Sequence, residues 1–170
     1  NIRGAAQIQP GWLQSRIGWV FDGPGSIGNL YRNGVGKIGL KLEVKGRAAH
    51  SGICPEKGHN ALLAAAKSIL SFPPGRMGNA TVNYGVISGG RAENIVPEQA
   101  DIYCEIRADN ASLCTDLAER LENSWRRTVE KDHCRLIVTM TAGYPPFRLN
   151  DSVLLRRTSE IFEDLGIKCE

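Results

Sequence analysis

Between Lys37 and Lys45 the chain alternates strictly, with Ile38, Leu40, Leu42 and Val44 on one side and Lys37, Lys41, Glu43 and Lys45 on the other. A period of two predicts a strand with one buried face and one wet face. After a turn holding His50, the pattern changes to helical spacing. Asn60 stands as an N-cap before Ala61, Leu62, Ala65, Ala66, Ile69 and Leu70, and Phe72-Pro73-Pro74-Gly75 stops the helix. Strands are predicted over 80–87 and 99–107, the second with Ala100, Ile102, Cys104 and Ile106 on one face and Asp101, Tyr103, Glu105 and Arg107 on the other. Ser112 opens the longest helix, in which Leu113, Leu117, Leu121, Trp125 and Val129 recur every four residues. A strand over 135–141 follows and ends at Gly143-Tyr144-Pro145-Pro146.

This order, βαββαβ, predicts an α+β fold of the ferredoxin-like kind: a four-stranded antiparallel sheet with two helices on one face. The flanks do not belong to it. Before it, Ile17–Phe21 reads as a short buried strand ending on Asp22-Gly23-Pro24-Gly25, and the run Ile27–Tyr31 leads to the Asn33-Gly34 turn signal. After it, a helical pattern runs over 153–165. The expected division is therefore 1–34, a central domain over 35–143, and 144–170. Asn1 in place of a starting methionine, and a last helical pattern still closing at 163–170, lead us to expect an excised piece of a longer protein.

Composition narrows the class. At 170 residues and 42% hydrophobic, the chain is long enough for one ordinary core. Lys plus Arg number 21 against 18 Asp plus Glu, without a run of like charge, so neither nucleic acid nor an anionic membrane is an expected partner. No apolar stretch reaches the length of a membrane span, and the first residues lack the pattern of a signal peptide. Five scattered cysteines without a Cys-x-x-Cys pair suggest neither a disulfide framework nor a zinc knuckle, and a cytoplasmic location is expected.

Candidate chemistry gathers around His50, which the alternating strand delivers into a turn. Of the other histidines, His59 and His133 read as solvated side chains without a ligand partner. Ser51 beside His50 lacks a Gly-x-Ser-x-Gly elbow, and the paired glycines lack the Lys-Ser/Thr of a phosphate loop.

The segments Gly46-Arg47-Ala48-Ala49-His50-Ser51-Gly52 and Pro55-Glu56-Lys57-Gly58, the run Gly89-Gly90-x-x-x-Asn94-x-Val96-Pro97 and the closing Ile106-Arg107 resemble the lid, or dimerisation, domain of the M20 metallopeptidase family. The resemblance is nearest to tripeptidase T-like and carboxypeptidase G2-like members, and it covers almost the whole chain. It implies a lid inserted into a zinc-binding α/β domain, with the two flanks as stubs of that domain. It further implies a homodimer formed through the lid and a peptide substrate cleaved near a free carboxylate. Two zinc ions, or cobalt or manganese, would serve the longer protein, and this piece alone is expected to be inactive and to bind none of them tightly. By the same resemblance His50 donates to the substrate carbonyl oxygen across the dimer, Asn94 and Arg107 hold the terminal carboxylate, and Asp22 of Phe21-Asp22-Gly23 ligates a metal. The other reading is a stand-alone ferredoxin-like module for ligand binding or regulation, which leaves Asp22 and the flanks without a role.

Overall fold

The computed structural model describes residues 7–9, 11–15, 18–20, 23, 25–150 and 152–169. The chain divides into two units, one of residues 32–150 and one of residues 1–31 with 151–170.

The larger unit contains β1 (Asn33–Gly34), β2 (Gly36–Lys45), a 3₁₀ turn (Pro55–Lys57), α1 (Ala61–Ser71), β3 (Gly75–Met77) and β4 (Ala80–Gly89). There follow β5 (Gln99–Ala108), α2 (Ala111–Lys131), β6 (Arg135–Tyr144) and β7 (Phe147–Arg148). The main sheet has the order β3-β4-β5-β2-β6, every neighbouring pair antiparallel. Its four long strands give the ferredoxin-like arrangement that the alternation predicts.

The sheet has five strands rather than the four expected. Gly78, at φ 62, takes the first position of a two-residue loop between Met77 and Ala80, where hairpins of the II′ kind place a glycine. Residues 75–77 consequently fold back along the start of β4, and the Pro-Pro-Gly stop of the helix is also the start of a short strand. β3 covers only Ala80–Val82, so from Asn83 to Gly89 the outer edge of β4 has no strand partner among the described residues.

One face of the sheet is dry. Leu42, Val44, Ile102 and Ile106 are fully buried against Leu117, Leu121, Trp125 and Val129 of α2 and Ala61, Ala64 and Ala65 of α1. Trp125 Nε1 donates to the Tyr84 hydroxyl at 3.0 Å, and that hydroxyl donates to the Phe72 carbonyl at 2.8 Å, so the polar atoms of two large aromatics are satisfied inside the core. Both helices start on asparagine caps. Asn60 Oδ1 accepts from the Leu63 amide at 2.9 Å, and Asn110 Oδ1 accepts from the Leu113 amide at 2.7 Å. The second helix therefore opens one position earlier than Ser112, whose hydroxyl instead donates to Asn110 Oδ1.

The fully buried residues of α1 are Ala61, Ala64, Ala65 and Ser68; of the expected stripe, Ala61 and Ala65 are among them, Leu62 and Ile69 pack partly buried against the core, and Ala66 and Leu70 are exposed. Leu63 and Leu70, 50% and 80% exposed, lie on its outer side. The larger unit opens and closes on a two-stranded ribbon, in which Asn33 and Gly34 pair with Arg148 and Phe147 and the Leu149 amide donates to the Arg32 carbonyl at 2.7 Å.

In the smaller unit, α3 (Ser152–Asp164) contains the buried Thr158, whose hydroxyl donates to the Leu154 carbonyl at 2.9 Å and accepts from Trp19 Nε1 at 3.2 Å. Of the strand expected over 17–21, residues 18–20 are described, and they are not in a strand. Among the described residues no helix is long and apolar enough to cross a membrane.

Candidate functional site

β2 and β5 run beyond the sheet at one end, and the extension carries two of the predicted residues. Past Lys45, the Gly46 amide donates to the Glu98 carbonyl at 2.8 Å. Farther on, the Val96 amide donates to the Ala49 carbonyl at 2.9 Å and the Ser51 amide to the Asn94 carbonyl at 3.0 Å, with His50 bridged to Ile95. Gly46 is required by a close approach: a Cβ there would overlap the His59 carbonyl oxygen. His50 and Asn94, far apart in sequence, thus come to one exposed end of the unit on mutually hydrogen-bonded backbones.

The His50 ring is oriented by its own turn. The His50 carbonyl accepts from the Ile53 and Cys54 amides at 3.3 and 3.1 Å, and Nδ1 accepts from the Gly52 amide at 3.2 Å. An imidazole that accepts at Nδ1 carries its proton, when neutral, on Nε2. Nε2 has no hydrogen-bond partner among the described residues and is free to donate.

Arg107 lies elsewhere. It stands opposite Lys37 at the far end of β5, on the sheet face away from the helices, eight residues beyond Gln99. At about 3.4 Å per residue, this separates it from the His50 end by roughly 27 Å or more. Arg107 Nε donates to Glu105 Oε1 at 2.8 Å and Nη2 to Oε2 at 3.3 Å, while Lys37 Nζ sits 2.8 Å from the same Oε2. The Arg107 guanidinium, helped by Lys37, holds the Glu105 carboxyl below the usual range, so the trio is two cations around one anion. Five N–H groups are available on a guanidinium, and Glu105 uses two of them. Lys37 and Glu105 were visible in the sequence as members of the wet faces of two strands, but only the register Lys37↔Arg107 shows that they flank the arginine.

Asp22 lies outside the described residues. Among the described residues no three His, Cys, Asp or Glu side chains converge on a point that would hold a metal ion. The turn between β4 and β5 encloses a cavity of about 370 Å³, lined by Gly89, Gly90, Arg91 and Asp101 among others, but none of the predicted site residues lines it.

This fold and these segments have counterparts. The peptidase dimerisation domain model, M20_dimer, matches residues 35–133. A p-aminobenzoyl-glutamate hydrolase homolog from Haemophilus influenzae is 30% identical over 132 residues, which are 71% of this chain and 31% of that protein. Two solved structures share the fold. Aminopeptidase PepT from Bacillus cereus superposes with a TM-score of 0.86 at 24% identity, covering 99% of this chain and 46% of that one. A tripeptidase from Staphylococcus aureus superposes with a TM-score of 0.88 at 23% identity, covering 97% and 44%. The chain spans less than half the length of each of these proteins. With the family model spanning most of the ferredoxin-like unit, the chain belongs to the M20 peptidase dimerisation domain family.

Proposed function

We propose that residues 32–150 are the dimerising lid of a longer metal-dependent hydrolase that cleaves a peptide or amide bond near a free carboxylate. In this proposal residues 1–31 and 151–170 belong to its catalytic domain. The observation that carries it is the His50 turn: an exposed imidazole with Nδ1 tied to the Gly52 amide and Nε2 left to donate. A donor so fixed favours charge that develops only in the transition state, as on the carbonyl oxygen of a scissile amide. Arg107, with three N–H groups beyond those given to Glu105, suits a bidentate carboxylate.

One chain does not bring these groups to one substrate, because His50 and Asn94 stand at the opposite end of the sheet from Arg107. A two-fold axis resolves this, since each end of one copy can meet the other end of its partner. The carboxylate and carbonyl contacts are then assembled with Arg107 from one copy of the chain and His50 and Asn94 from the other. Two zinc, cobalt or manganese ions, with Asp22 as one ligand and the rest from parts of the longer protein not included in this chain, would polarise the carbonyl and supply the attacking water when bound. All five cysteines are free, which fits the cytoplasmic location proposed for the protein.

The homodimer face in this proposal is the uncovered run of β4 with the outer side of α1. Open strand edges pair readily, and this one is apolar: Val86 and Ile87 are 52% and 49% exposed, with Leu63 and Leu70 on the neighbouring helix. Sedimentation of the chain should show a dimer that Val86→Lys combined with Leu70→Lys converts to monomer. A dimer that survives both lysines would move the interface to another face.

The carboxylate role is tested in the full-length enzyme. Arg107→Ala should raise KM at least about tenfold for substrates with a free carboxylate and leave their amides little changed, because only the former engage the fork. Equal losses on both would remove Arg107 from carboxylate recognition.

A further inference from the structure

We propose that His59 and His133 form a two-imidazole chelate for a borderline divalent transition metal such as Zn²⁺, Ni²⁺ or Cu²⁺, separate from the site above. The sequence gives no hint of a pair, since the two stand far apart and each reads as a solvated side chain. In the fold their ring centroids lie 5.4 Å apart with the planes at 39°. A metal about 2.0–2.1 Å from a ring nitrogen lies roughly 3.2 Å from the ring centroid, so two imidazoles at a tetrahedral angle have centroids about 5.2 Å apart. The observed spacing is within a few tenths of an ångström of that distance.

Both backbones are fixed in ways that keep the rings together. The His59 amide donates to the Arg47 carbonyl at 2.8 Å, its own carbonyl accepts from the Arg47 amide at 3.0 Å, and the next residue, Asn60, caps α1. His133 ends α2 in a Schellman turn: its amide donates to the Glu130 carbonyl at 3.0 Å, and the Cys134 amide donates to the Val129 carbonyl at 2.9 Å. This turn position calls for a left-handed residue, usually glycine, and His133 takes it at φ 55. Among the described residues no other non-glycine residue has a positive φ. A histidine held there against backbone preference is a constraint that packing alone does not ask for, since the ring is exposed. His59 is half-buried, so the pair is preorganised on one side and open to solvent on the other.

Imidazole suits zinc, nickel and copper. Two protein ligands leave the other positions to solvent, so the affinity falls in the micromolar range rather than the nanomolar range of closed sites. A bound ion would tie the segment that leads to His50, through the Arg47–His59 bridge, to the turn between α2 and β6.

Titration of the chelator-treated chain with NiCl₂ and ZnCl₂ at neutral pH, followed by calorimetry and by the denaturation midpoint, tests this. We expect one ion per chain with a micromolar Kd, and a midpoint that rises with metal as binding to the folded state requires. His133→Gly places the preferred residue in the left-handed turn and so keeps the fold, yet should weaken binding at least about tenfold, as loss of one of two ligands demands. His59→Gln should do the same, while His50→Gln should leave binding unchanged. Binding that survives His133→Gly, or none at about a hundredfold excess over the expected Kd, overturns the proposal. None of these outcomes depends on hydrolase activity.

Discussion

In the full-length hydrolase proposed above, subunits carrying His50→Ala and subunits carrying Asp22→Ala, each expected to be inactive alone, should recover activity when mixed and allowed to exchange. Random exchange makes half the dimers mixed and gives each of those one complete site of two, so about a quarter of wild-type activity is expected. The separation of Arg107 from His50 sharpens the test into complementation groups. His50→Ala mixed with Arg107→Ala should also recover if, as proposed, Arg107 of one copy and His50 of the other serve one site. Asn94→Ala should group with His50→Ala. If His50 acts within its own subunit, every site in the first mixture keeps a lesion and no activity returns after verified exchange.

Trp125→Ala should cost the fold about 3–5 kcal/mol, the range for removing a large aromatic from a core, and a denaturant midpoint with unchanged slope would report it. Trp125 is fully buried beside Tyr84, and its loss also leaves the Tyr84 hydroxyl without its donor. Trp125→Phe separates the two effects. It keeps most of the ring and removes the indole N–H, and because Tyr84 still donates to the Phe72 carbonyl, the expected cost is only about 1–2 kcal/mol. A Phe variant as unstable as the Ala variant would mean that the hydrogen bond rather than the packing holds this part of the core.

The long strands were legible because each has a face the core demands. Leu42 and Val44 on β2, and Ile102 and Ile106 on β5, alternate with charges, and no other register buries them all. β3 was hidden, because three residues give no period and its one signal, Gly78-Asn79, falls between the helix stop at 72–75 and the strand expected from residue 80. In α1 the spacing located Ala61, Leu62, Ala65 and Ile69 at the core but took in the exposed Ala66 and Leu70 and missed Ala64 and Ser68, because in a helix this rich in small apolar residues hydrophobicity alone does not fix the edges of the stripe. The site divides in the same manner. The His50 turn and the Asn94 turn are read from local glycines and prolines, whereas the Lys37–Glu105–Arg107 trio and the His59–His133 contact depend on cross-strand and cross-element partners that no local pattern encodes.

The ribbon of β1 and β7 has a thermodynamic consequence for the rest of the chain. Because the larger unit begins and ends on paired residues, the chain leaves it a single strand spacing from where it entered. To residues 1–31 and 151–170, a folded insert of this kind is a short covalent clip in place of a flexible loop of roughly 120 residues. Shortening a loop from that length to a few residues lowers its closure cost by about 3 kcal/mol. Folding of the insert therefore raises the effective concentration of the two flanks for each other, and a substitution such as Gly34→Val, whose side chain would strike the Phe147 ring, weakens the flanks without touching them.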